Sequence, residues 1–93
     1  MSNSNEDLVI LAKALYVTGM ELIRLGRLEE GISKLEECEA ILRDLISSGM
    51  EELEPELARA TSNRGAALVR MGRTSEAVEA LREAISELEA TSN

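Results

Sequence analysis

Slid along itself by 46 positions, the chain meets its own pattern. Ala12 pairs with Ala58, Ala14 with Ala60, Gly19 with Gly65, Leu22 with Leu68 and Arg24 with Arg70. Gly26-Arg27 meets Gly72-Arg73, and Glu30, Leu35, Glu37 and Leu42 meet Glu76, Leu81, Glu83 and Leu88. That is 11 identities over the 31 positions from 12 to 42, where chance gives about two or three. Conservative pairs such as Lys13/Arg59, Ile23/Val69, Leu25/Met71 and Ile32/Val78 fill gaps between them. Two like units must therefore fold alike, and each is too short to bury an apolar face without the other.

Each unit reads as helix, tight turn, helix. The first helix is expected to start behind a capping Ser4 or Asn5, with Glu6 and Asp7 in its first turn, where acids suit the helix dipole. It runs to about Leu25, and Gly26 lets the chain break because glycine adopts the left-handed backbone that ends helices. The second helix spans roughly Leu28 to Ser47, with Leu28, Ile32, Leu35, Cys38, Leu42 and Leu45 on one stripe. Gly49 stops it, Met50–Glu54 links, and Pro55 opens a third helix that ends at Gly72. Thr74 or Ser75 caps a fourth, whose stripe is Ala77, Leu81, Ala84 and Leu88, flanked by Val78 and Ile85. No segment alternates with a period of two, so the fold class is all-α: two antiparallel helical hairpins, four helices in all. The whole chain, 1–93, is one domain, with repeat one at about 6–48, a linker at 49–54 and repeat two at about 55–90. Gly19 and Gly65 fall in mid-helix, where glycine costs about 1 kcal/mol against alanine. A cost repeated at the same place implies close helix approach, with Gly31/Ala77 and Cys38/Ala84 as the facing small surface.

Composition narrows the function. The chain has no His, so it lacks the ordinary proton shuttle and any Ser–His or Cys–His pair. Cys38 lies on the buried stripe and reads as a packing residue. The acidic runs Glu36-Glu37-Glu39 and Glu51-Glu52-Glu54 lack a calcium-loop pattern and read as solvated surface. No glycine-rich phosphate loop is present. The expectation is no enzyme, no cofactor and no metal. A net charge of −8 argues against nucleic acid, whose phosphates would repel it. No apolar run approaches a membrane span, the start is polar without the basic stretch of an export signal, and a single thiol suits a reducing compartment. A cytoplasmic protein is expected.

The glycine pattern resembles the tetratricopeptide repeat, which has a small residue in mid-helix A, a turn glycine seven later, and small residues five and twelve beyond it. Gly19, Gly26, Gly31 and Cys38 follow that spacing, as do Gly65, Gly72, Ala77 and Ala84. The segment from Gly72 to Ala84 looks most like the family's turn and helix B, and the two copies together cover nearly the whole chain. The 46-residue period exceeds the usual one of about 34. It is similar to the longer-repeat variety found in kinesin light chain and many bacterial proteins. The positions where the family carries aromatics hold Leu15, Leu22 and Leu28, then Thr61, Leu68 and Thr74. The resemblance implies a short right-handed solenoid and a non-enzymatic protein-interaction module or scaffold.

The resemblance also implies that one stripe of each helix A lines a concave peptide-binding groove. Carried over, the stripe is Lys13, Tyr16, Met20, Ile23 and Arg24 in copy one, and Arg59, Ser62, Asn63, Ala66, Val69 and Arg70 in copy two. Angular spacing agrees, since each set spans an arc of about 120°. A base stands at both ends of each stripe. Glu29–Asp44 and Glu76–Glu89 each carry net −4, while Glu56–Arg70, with Arg59, Arg64 and Arg70, carries +2. Two readings fit: the bases neutralise adjacent acidic helices, or they grip an acidic peptide or a C-terminal carboxylate. A different kind of function also fits. Tyr16, Met20 and Ile23 would be exposed on an isolated hairpin, Ile10 and Val17 make helix A apolar nearly all round, and the last helix is bare. The alternative is a self-assembling homodimer whose groove is filled by its own subunits.

Overall fold

The computed structural model describes residues 4–91. Four helices follow in order: α1 (Ser4–Arg24), α2 (Leu28–Ser47), α3 (Glu54–Arg70) and α4 (Thr74–Thr91), with a 3-10 turn at Glu51–Leu53 before α3. No strand occurs among the described residues. The chain is all-α, α1 packing along α2 and α3 along α4 as two antiparallel hairpins.

All three connections end their helices in the same way. Gly26, Gly49 and Gly72 have φ of +83°, +114° and +78°, a region that side-chain-bearing residues rarely enter. The amide after each glycine reaches back to the third carbonyl from the helix end: Arg27 N to Leu22 O at 2.9 Å, Met50 N to Leu45 O at 3.1 Å, Arg73 N to Leu68 O at 2.9 Å. α2 starts at Leu28 and α3 carries Pro55 in its first turn, as expected, but the starts of α1 and α4 differ. Ser4 and Thr74 already lie inside their helices, so a capping position ahead of α1 falls outside the described residues. At α2 the residue before the helix is Arg27, which gives no side-chain cap but donates to Glu30 at 2.7 and 2.6 Å. Arg73 does the same to Glu76 ahead of α4. Each fork steadies an acid in the next helix's first turn, and being exposed it contributes little to stability.

Small residues set the distances inside each hairpin. A methyl group built on Gly31 would stand 2.8 Å from the Gly19 carbonyl and 2.6 Å from Ile23 Cγ1. On Gly19 it would meet the Gly31 carbonyl at 3.0 Å. α1 and α2 therefore touch backbone to backbone. In the second hairpin a methyl on Gly65 would meet the Leu81 side chain at 2.9 Å, with the nearest backbone atom, Ala77 O, at 3.5 Å.

Where the hairpins stack, α3 lies against α2. One core cluster joins Ile23, Ile32 and Leu35 to Ala67, Leu68, Ala77 and Ala80; a second joins Ala12, Cys38 and Leu42 to Leu57 and Ala60. Between them the junction holds charge. Glu39 is 1% exposed and accepts from Arg64 Nε at 2.7 Å and Nη2 at 3.0 Å, with the Thr61 hydroxyl 3.0 Å away. This corrects the reading of Glu36-Glu37-Glu39 as solvated surface: Glu36 and Glu37 are exposed, but Glu39 is core. The bidentate fork and the hydroxyl supply the hydrogen-bond partners that a buried carboxylate needs. Glu39's hydrogen bonding in turn holds the Arg64 guanidinium above its ordinary value. In α4 only the alanines of the expected stripe are deeply buried; Leu81 is half-buried and Leu88 exposed.

Candidate functional site

Between α1 and α3, over α2, lies an open cleft of about 300 Å³. The two helices A form its walls because each sits on a helix B, α1 on α2 and α3 on α4, and α3 also leans on α2. Ala12 and Tyr16 from α1, with Cys38 and Leu42 from α2, make an apolar floor. Lys13, Glu56 and Arg59 bring charge to the same cleft. Neither Lys13 nor Arg59 has an ion-pair partner among the described residues. Both side chains are exposed.

Of the groove residues expected from the sequence, the structure thus brings Lys13, Tyr16 and Arg59 together. Asn63 stands behind them: its Nδ2 donates to the Tyr16 hydroxyl at 2.8 Å and ties α3 to α1. That bond fixes the ring of the chain's single aromatic residue. Ala66 is exposed on α3. Met20 is half-buried against the core cluster around Leu35, and Ile23 is a member of that cluster at 8% exposure. In the whole chain Ile23 is therefore buried: it packs beside Gly31, where the missing side chain makes room for it, and joins a cluster with residues of the second hairpin.

The bases of the two stripes divide. Arg24 is exposed and joined to Glu21 one helical turn before it. Arg70 Nη1 donates to the Ile23 carbonyl at 3.3 Å, so it caps the end of α1. Arg64 is withdrawn into the junction by Glu39. Of the three bases of the expected basic helix, Arg64 and Arg70 are therefore held by the fold and Arg59 is free, and with Lys13 of α1 it makes the free pair of the cleft. Glu56 in the same cleft offsets part of their charge.

Sequence reasoning did not include Cys38, Leu42 and Glu56 in the site. Cys38 and Leu42 fall on the apolar stripe of α2 and so read as core, and Glu56 lies just ahead of the stripe carried over for α3. The Cys38 thiol is pushed up to about 11 by burial first and the neighbouring Glu39 charge second. At neutral pH it is a protonated, apolar part of the floor. A second, shallower depression on the opposite side is lined by Arg43 from α2 and Glu79, Arg82, Glu83, Ser86 and Glu87 from α4. Arg43 sits among Glu39, Glu83 and Glu87 at 3.5, 3.1 and 3.4 Å. Its charge is already spent on bridging the two helices B.

Among the described residues, no helix is long and apolar enough to cross a membrane. Set beside known proteins, the chain matches no family model, no curated protein and no solved structure.

Proposed function

We propose that this chain is a tetratricopeptide-like interaction module and that the α1–α3 cleft receives a partner polypeptide. One observation carries the reading: Lys13, Tyr16 and Arg59, drawn from the two repeats, meet in a single cleft over an apolar floor. The cleft is a groove end of fixed shape, since Asn63 holds Tyr16 and the hairpins are locked by Glu39 and Arg64. An apolar side chain fits over Tyr16, Cys38 and Leu42 while an acidic side chain or terminal carboxylate lies between the two free bases. Two cations converging on one carboxylate, beside an apolar contact, are the usual means of fixing a peptide's position and direction.

The cleft's aromatic residue supplies the readout. With Tyr16 alone in the chain, its fluorescence and ring resonances report binding of any peptide lacking aromatics. A library of short peptides ending in an apolar residue and acids should contain members that shift the Tyr16 signals. Lys13→Glu with Arg59→Glu should abolish that shift, while Arg70→Glu, outside the cleft, should leave it. A library that never moves Tyr16, or binding indifferent to the double reversal, overturns the reading.

A further inference from the structure

The two ends of the stack are the two halves of its middle, uncovered. Moving back 46 positions from α3 to α1, Leu57, Thr61 and Leu68 become Leu11, Leu15 and Leu22. The first three are 5%, 0% and 2% exposed because α3 faces α2. Leu11 is 48% exposed, and Leu15 and Leu22 are half-buried. Moving forward from α2 to α4, Ile32, Glu39 and Leu42 at 6%, 1% and 4% become Val78, Ile85 and Leu88 at 43%, 56% and 50%. The residues that build the internal junction have open counterparts on both outer helices.

The chemistry of those counterparts is matched. Inside, Glu39 on α2 faces Arg64 and Thr61 on α3. At the ends, the equivalent of Glu39 is Ile85, and the equivalents of Arg64 and Thr61 are Thr18 and Leu15. A face kept for water gains nothing by losing its charges. Here both charges are gone, one from each face, so pressing the faces together buries no unpaired ion. Spacing agrees as well: Leu8, Leu11, Leu15, Thr18 and Leu22 step alternately by three and four along α1, and Val78, Leu81, Ile85 and Leu88 do so along α4. That is the seam of one helix meant to lie along another.

We infer that the occupant is a second copy of this chain: α1 of one molecule seats on α4 of the next as α3 seats on α2. The contact is head to tail, so it leaves a free α1 and a free α4 at the ends of every assembly and lengthens the solenoid. It uses neither Lys13 nor Arg59 and stands apart from the peptide cleft.

Sedimentation from micromolar to millimolar concentration should give a mean mass that passes twice that of the chain. Ile85→Glu places a carboxylate in the seam without a partner, and Thr18→Arg places a guanidinium there. Each should weaken association roughly 100-fold or more, with helical circular dichroism unchanged because both positions are exposed. An equimolar mixture of the two variants should associate again: each keeps one original face, and the altered faces meet as a Glu–Arg pair like Glu39–Arg64. A monomer at all concentrations, a mass that stops at the dimer, or a mixture that stays dissociated overturns the inference.

Discussion

The contacts within the hairpins and the contact between them are held by opposite means. α1 meets α2 through Gly19 and Gly31 with backbone atoms almost touching. α2 meets α3 through a buried carboxylate, a guanidinium and a hydroxyl. The first kind of contact depends on missing atoms and tolerates any neighbour of the right shape. The second depends on three groups at one height and admits a single register. The repeat copies the first kind imperfectly, Gly65 facing Ala77, and does not copy the second at all. A helical stack can thus reuse its hairpin while making each junction different, which is how unlike junctions avoid pairing wrongly.

The largest expected effect comes from breaking the junction on one side. Arg64→Met takes the bidentate partner from buried Glu39, leaving it Arg43 at 3.5 Å and the Thr61 hydroxyl at 3.0 Å. It should cost about 3 kcal/mol, the lower end for a broken buried pair, because Arg64 also reaches the protein surface. Replacing both, Glu39→Leu with Arg64→Met, should recover most of that loss in urea unfolding. If the single and double variants lose equal stability, the junction is held by packing and not by the ion pair.

A smaller effect separates the two hairpins. Gly31→Ala forces a methyl against the Gly19 carbonyl and Ile23, and overpacking of this sort costs about 1–3 kcal/mol. Gly65→Ala presses only on the half-buried Leu81 side chain, which can turn away. There the gain in helix propensity, about 1 kcal/mol, offsets the crowding, and thermal unfolding should hardly change. Equal losses at the two sites would show that both hairpins close on backbone contact.

The smallest effect concerns Glu87, beside the junction on α4. Burial raises its pKa, Arg43 opposing, and its Oε1 is buried without a hydrogen-bond partner among the described residues. The folded protein therefore holds this proton more tightly than the unfolded chain. The stability it contributes is full below the ordinary carboxylate range and is lost as pH rises through the raised value. Glu87→Gln, which resembles the protonated form, should melt slightly higher than the parent at neutral pH, and the gap should close on acidification. A gap that widens in acid would mean that the Arg43 attraction outweighs burial.

The cleft was half legible. Lys13, Tyr16 and Arg59 lie on helix faces that angular spacing groups correctly, but the same spacing also grouped Ile23, Arg24 and Arg70 with them. Spacing gives direction around one axis and says nothing of what stands opposite. Glu39 could have been found: it falls seven residues after Ile32 and seven before Ile46, inside the apolar stripe of α2. Arg64 holds the same place between Leu57 and Met71 on α3. A lone acid in one stripe and a lone base in another, on adjoining helices, is the trace a buried pair leaves.

By itself the sequence determined the four helices, their glycine-ended turns and the pairing into two hairpins. Those features follow from backbone conformations and from contacts between residues near in the chain, which a repeated pattern displays twice. Only the tertiary structure decided which charges are buried, which bases remain free and which apolar faces are left open. Those outcomes depend on the stacking of one hairpin against the other, and the energy of a charge is set by whatever finally surrounds it.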